Sequence, residues 1–481
     1  MIKSLKKYFI STRLVRRVCR RGLFRKRNGY ICDAYKPCRL IHVNPLLIIS
    51  YVALINALVI SYGFYNRMAF LFVAVSFGLL IAAAKGWYKR EKLKVGMSAE
   101  NMLLVALCFS VLSWLVMPIA DLYPAPEAWY QQLSQKVSLV AVITIFIAYG
   151  LIPRWVFYRS ILFLIIASLP IMLWFLVPRA VPSPTIDIFV CNQRAASYVV
   201  DGINPYTAET TTWQTNMDTT GYTYPPINLY PFALSYLLLG DVRYGSAALL
   251  TVTACLLWLV SRRTMNAVSS EIITLLFLYH PREILIVGGS FSEVVIVFLF
   301  VLFTLLSVYK LLPAVRAVVY GLFLSTKPYL ALLVLPWCMT EKKIHRIVYV
   351  VLGALLPIIP FLSSGLYETI YNGFFYILHK VMFRTDSLST STLLLEFCPN
   401  CKIPWIGLSL PAGLLAVVIT GWFFRKRNDF PSFIYIVVIT MFSIFFLGSL
   451  GLIGYYYLVS VMLLVLIAVS VKESRRYISH P

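Results

Sequence analysis

The sequence predicts an all-α protein: a polytopic bundle of about fourteen membrane helices, with further helices lying along its outer surface. Three observations predict it. Hydrophobic residues make up 60% of the 481 and charged residues only 13%, whereas soluble domains carry nearer half and a quarter. Apolar runs of roughly 17 to 20 residues, long enough to cross a bilayer as helix, recur along the chain. The 43 Lys and Arg, against 19 Asp and Glu, concentrate in alternate connections between those runs. A nucleic-acid-binding protein would share the basicity but not the runs, so the implied partner is the bilayer and no nucleic acid is expected.

Residues 1–43 form a basic arm with thirteen Lys or Arg, and no cleavable signal follows, so the arm is expected to stay cytoplasmic. Four spans follow within 44–160, near 46–64, 68–86, 102–120 and 137–153, with no role of their own assigned. Region 161–345 carries spans near 161–178, 244–261, 268–286 and 292–309, and a large external loop over 179–245. It ends in a helical hairpin over 314–340 that breaks at Lys327-Pro328, because Pro cannot continue the helix ladder and biases the residue before it away from helical geometry. Region 346–481 carries spans near 346–363, 405–423, 431–449 and 454–471, with an external loop over 364–404.

Residues 226–240 decide the topology of everything after them. As helix they reach about 22 Å, short of a roughly 30 Å hydrocarbon core, so they are expected to lie along the outer surface. The charge bias is then consistent throughout: 33 Lys or Arg inside against ten outside, and seven acids inside against twelve outside. Both termini are expected in the cytoplasm, with the acids gathered in the external loops and at span ends.

Several chemistries lack their signatures. There is no P-loop, GxGxxG, GxSxG, DxD or HExxH, and the five His are dispersed, so neither a metal nor a cofactor is expected. The nine Cys are scattered except for Cys398-Pro-Asn-Cys401, where a local disulfide is expected on an oxidising outer side.

An acid at the membrane edge is a functional candidate, and Asp187 is the foremost. It follows the fifth span by about nine residues in Pro-Thr-Ile-Asp-Ile-Phe-Val. Its apolar neighbours predict partial desolvation, which would raise its pKa and suit it to accept a proton; capping of the helix that follows is a compatible role. Arg194 to Val200 reads as a surface helix stopped by Asp201-Gly-Ile-Asn-Pro-Tyr206. A Thr-rich loop, Thr210 to Thr220, then leads into Tyr222-Thr-Tyr-Pro-Pro-Ile-Asn228, the juxtamembrane helix and Gly240-Asp-Val-Arg-Tyr244.

This order of span, acid, surface helix, Asp-Gly-Ile-Asn-Pro-Tyr, Tyr-Pro-Pro, juxtamembrane helix and Gly-Asp-Val-Arg-Tyr resembles the GT-C superfamily of integral-membrane glycosyltransferases. It is most similar to glycosyltransferase family 87, the polyprenyl-phosphate-mannose-dependent mannosyltransferases. His280-Pro-Arg282 with Ser292-Glu293, then Ser325-Thr-Lys327-Pro-Tyr, continue the likeness, which covers roughly 161–471. The resemblance implies transfer of a sugar, mannose or another hexose, from a polyprenyl-phosphate donor to a lipid or glycan acceptor on the non-cytoplasmic side of a bacterial inner membrane. By position it makes Asp187 the base toward the acceptor hydroxyl, with inversion and no nucleotide.

A departing lipid phosphate gains negative charge, which cations in a dry pocket would stabilise. Candidates among the scarce external cations are Arg282, Lys327, His379, Lys380 and Arg384. Lys327 stands out at its helix break, either as a phosphate ligand or as a lysine snorkelling to the interface. His379, Lys380 and Arg384 fit an interfacial anchor equally well. Glu293 and Glu283 are candidates for a second acid, ten residues apart around Gly288-Gly289. Tyr206, Trp213, Tyr222 and Tyr224 offer rings to a sugar, although aromatic residues also gather at membrane interfaces for other reasons. Two rivals remain: a transporter or flippase of lipid-linked glycans, which the Lys327-Pro328 break would suit, and a glycan polymerase or ligase of similar architecture.

Overall fold

The computed structural model describes residues 41–473 except 62, 90–96, 117–125, 154, 209–220, 342, 377–385, 400–404, 426, 428, 449–450 and 471. Beyond one two-residue antiparallel pair, β1 (Ile41–His42) with β2 (Lys472–Glu473), the described residues are helical or connecting. That pair belongs to a small unit formed by the two chain ends; residues 43–471 form the other unit, which is the bundle.

The bundle opens with α1 (Pro45–Ser61), α2 (Arg67–Lys89), α3 (Ala99–Val116) and α4 (Ala128–Ile145), the last continuing as a wider π turn over Phe146–Leu151. Asn66 starts α2 by accepting the backbone N–H of Met68 at 2.9 Å, the usual work of an N-terminal Asn. Next comes α5 (Val156–Ala180), about 37 Å long at 1.5 Å per residue. Four helices, α2, α4, α5 and α8 (Arg243–Thr264), are long and apolar enough to cross a membrane.

Between α5 and α8 lie α6 (Asp187–Val200), a 3-10 turn over Pro226–Asn228 and α7 (Leu229–Leu239). The surface helix expected at Arg194 thus begins at Asp187. Gly240 ends α7 in the left-handed conformation, φ 75°, which glycine adopts without strain. Leu234, Leu237, Leu238 and Leu239 leave α7 exposed and apolar.

After α8 the chain departs from the single span expected over 268–286. Instead α9 (Ala267–Leu278) stops, and the short α10 (Glu283–Gly288) follows a bend at His280-Pro281-Arg282. Pro281 has no N–H for the ladder and its ring would clash with the carbonyl four residues back. Then come α11 (Glu293–Val308) and α12 (Pro313–Leu324), and a 3-10 stretch over Pro328–Leu333 that runs into α13 (Val334–Thr340). The hairpin breaks where Pro328 predicts, with Lys327 fully extended at φ −151°, ψ 144°.

The chain finishes with α14 (Ile347–Leu355), a 3-10 stretch over Leu356–Phe361, α15 (Leu366–Ile370), α16 (Thr390–Phe397), α17 (Trp405–Phe424), α18 (Phe430–Phe446) and α19 (Ile453–Val469). Helices α18 and α19 are apolar all round and almost wholly buried, as expected of central helices. Helices α4 and α5 instead turn Leu139, Ile143, Phe157 and Leu164 outward. Helices α12 and α14 meet backbone to backbone. A Cβ added at Gly321 would lie 2.0 Å from the carbonyl oxygen of Val350, and one at Gly353 would lie 2.2 Å from that of Val318, the close approach that small residues permit between apolar helices.

Glu271, near the start of the expected span 268–286, sits buried early in α9 with its carboxylate held by Arg159 of α5.

Candidate functional site

Three of the predicted residues meet in one place. Lys327, freed from helical geometry by Pro328, projects from the break between α12 and α13. Glu293, the first residue of α11, brings its Oε1 to 3.8 Å from the Lys327 Nζ, with side chains only 5% and 6% exposed. The Tyr224 ring lies on the ammonium, 4.4 Å from Nζ to the ring centroid, a cation–π contact that engages a face of charge rather than an acceptor atom. Among the described residues the Lys327 ammonium has no hydrogen bond, because 3.8 Å exceeds hydrogen-bond range. Nearby, the Tyr329 hydroxyl is buried and meets no partner among the described residues.

The walls of this centre come from the Tyr-Pro-Pro segment. Tyr206, Tyr222 and Tyr224 pack edge to face, with centroids 5.6 Å apart at each step. Tyr206 and Tyr222 are fully buried in a cluster with Cys191, Ala195, Leu229 and Phe361. Their hydroxyls are also committed, Tyr206 donating to the Tyr224 carbonyl and Tyr222 to the Asn192 Oδ1, both at 2.8 Å. These two rings therefore build the wall and do not face a ligand, contrary to the expectation of sugar stacking. Tyr224 alone of the three keeps some exposure. Asn228 ties the same segment to the helix break, its Nδ2 donating to the Thr326 carbonyl at 2.8 Å.

Asp187 is the first residue of α6. It is exposed and its Oδ1 accepts the N–H of Ile188 at 2.8 Å, so the burial expected from its apolar neighbours is not found. Ile186, not Asp187, occupies the capping position. Burial pushes the Tyr224 hydroxyl well above the ordinary phenol range, and Cys191, Asp187, Glu293 and Tyr455 push it the same way.

Sequence reasoning missed the residue that links those two helices. Asn192, one and a half turns after Asp187, accepts from Tyr222 and donates its Nδ2 to the Ser290 carbonyl at 2.7 Å. Ser290 holds φ 49° without being glycine, a conformation rarely adopted by residues with a side chain. That turn aims α11, and Glu293 with it, at Lys327. The only signal in the sequence was a lone polar residue on the buried face of an amphipathic helix. A second clamp is formed by Gly240-Asp-Val-Arg-Tyr244. Arg243 grips Asp241 through Nε at 2.9 Å, donates to the Val181 carbonyl at 2.6 Å and lies over Phe189. It joins the end of α5 to the starts of α6 and α8.

Glu283 and Arg282 belong to another cluster. Glu283 accepts from Tyr457 at 2.8 Å, and its other oxygen is buried with no partner among the described residues. His280 pairs through Nε2 with Ser460 at 2.8 Å. Arg282 donates to the Leu58 carbonyl at 3.1 Å through Nε, Trp114 to the His280 carbonyl at 3.2 Å, and Ser110 to the Tyr279 carbonyl at 2.7 Å. The N-terminal helices α1 and α3, which the sequence left without a role, thus seat the α9–α10 bend from one side while α19 seats it from the other.

His379, Lys380, Arg384 and Trp213 lie outside the described residues. Cys398 is disulfide-bonded, and Cys401 lies outside the described residues. Among the described residues no three His, Cys, Asp or Glu converge as metal ligands. No family model, curated protein or solved structure matches the chain.

Proposed function

We propose that the chain is an integral-membrane glycosyltransferase of the GT-C type. It moves a sugar, mannose or another hexose, from a polyprenyl-phosphate donor to an acceptor hydroxyl on the non-cytoplasmic side of the membrane. In this reading the apolar helices make fourteen membrane crossings with both termini inside, and α6 and α7 lie at the outer surface. The observation that carries it is Lys327, a buried ammonium with unused hydrogen-bond capacity beside Tyr224 and Glu293. A buried cation that lacks hydrogen bonds is costly to keep, and an anionic headgroup would satisfy it.

The chemistry is a single displacement. Asp187 accepts the proton of the acceptor hydroxyl as its oxygen bonds to the anomeric carbon. The bond from that carbon to the phosphate oxygen breaks, and the polyprenyl phosphate leaves with the electron pair, held by Lys327. Preorganised cations aimed at developing charge are the largest catalytic lever available to such a site. Asp187→Asn is expected to lower transfer of labelled sugar from a polyprenyl-phosphate donor by about 10²-fold or more, with folding unchanged. Near-native turnover by that variant would remove Asp187 as base.

A second reading, a transporter of lipid-linked glycans, draws on the buried ion pair at the Lys327-Pro328 break, since broken helices carry ionisable sites in transporters. Detergent-solubilised protein has no compartments to transport between, so product formation there separates the two.

A further inference from the structure

We infer that Glu293 is a built-in competitor for Lys327, which the donor phosphate displaces on binding and which returns to expel the polyprenyl-phosphate product. The inference rests on the function proposed above and extends it to product release.

The geometry is that of a pair made to be opened. Lys327 is held from one side by the Tyr224 ring at 4.4 Å, a contact that consumes none of its three N–H donors. Glu293 supplies charge at 3.8 Å, likewise without a hydrogen bond. Glu293 itself is weakly anchored; beyond Lys327, its one hydrogen bond among the described residues is from the Ser292 hydroxyl at 3.4 Å. Its retreat toward α19 is closed, because a Cβ on Gly454 would stand 3.1 Å from the Glu293 Cδ, so that helix already lies against the carboxylate. A phosphate oxygen reaching Lys327 would find free donors and compete with the carboxylate for the ammonium.

The charge change in the reaction explains why such a competitor is needed. The donor is a phosphodiester with one negative charge, and the leaving group is a monoester that carries between one and a half and two, on the order of the value for any phosphate monoester near neutral pH. A buried lysine therefore holds product more tightly than donor, and release threatens to limit turnover. A carboxylate that competes for the same ammonium opposes the dianion more strongly than the monoanion and restores the balance.

The test measures binding of farnesyl phosphate, farnesol and inorganic phosphate to the full-length protein in detergent, alongside Glu293→Gln, Glu293→Ala and Lys327→Met. Glu293→Gln is expected to bind farnesyl phosphate about tenfold more tightly, a shift of about 1.4 kcal/mol, with farnesol unaffected. In transfer assays it should complete a first turnover and then slow, which a purely structural defect would not produce. Glu293→Ala guards against misfolding of one variant and should shift binding in the same direction. Tighter binding of inorganic phosphate as well assigns the effect to the headgroup alone, and tighter binding of farnesyl phosphate only assigns it to the lipid-borne form; either supports the inference. Unchanged or weaker binding in both Glu293 variants overturns it. If Lys327→Met binds farnesyl phosphate as the native protein does, the phosphate site itself is wrong and the proposed function loses its anchor.

Discussion

Arg159–Glu271 and Lys327–Glu293 are both cation–carboxylate pairs, with side chains 4% and 6% exposed in the first and 5% and 6% in the second. Equal burial hides opposite construction. Arg159 meets Glu271 through Nε at 3.0 Å and Nη2 at 3.4 Å and donates again to the Pro153 carbonyl at 2.6 Å, while Tyr149 adds a third donor to the carboxylate at 3.3 Å. Lys327 and Glu293 stand 3.8 Å apart with an aromatic face where a donor or acceptor would complete the set. A fully bonded buried pair fixes α5 against α9. An under-bonded one keeps its valences for something else, and what distinguishes them is the number of hydrogen bonds, not depth.

Replacing one member of each pair sharpens the contrast. Arg159→Met strands the Glu271 charge and should lower stability by about 3–5 kcal/mol, read from denaturant or thermal unfolding in detergent, while transfer per folded molecule changes little. Lys327→Met should do the reverse, lowering turnover by about 10²-fold with a small change in unfolding midpoint. Equal stability losses in the two variants would break the comparison. The smallest effect is expected at the third buried carboxylate, Glu283, whose one hydrogen bond among the described residues comes from Tyr457. Tyr457→Phe should cost about 1–2 kcal/mol, and a double-mutant cycle with Glu283→Gln measures whether that bond accounts for it.

The helices were legible in the sequence because apolar runs of bilayer length leave few alternatives. Their ends were less so. The run over 268–286 conceals the Pro281 bend, whose residues His280 and Arg282 are satisfied by the Leu58 carbonyl on α1, the Trp114 indole N–H on α3 and the Ser460 hydroxyl on α19. Lys327 announced itself by sitting beside Pro328 in an apolar stretch. Its partner did not, since Glu283 and Glu293 flank one turn, and only the left-handed Ser290 decides which of them faces Lys327. The tyrosines were misjudged for a related reason: a ring near a membrane surface looks the same in sequence whether it faces a ligand or, as with Tyr206 and Tyr222, closes a wall.

The position of α19 bears on how the protein is made. Gly454 backs Glu293, and Tyr457 and Ser460 seat the bend ahead of it, so α19 touches a centre that begins near residue 187. A nascent chain that ends before α19 lacks that support. The candidate site therefore comes together only once α19 is made, and a copy truncated before it would leave Glu293 without its backing and the bend without its seat.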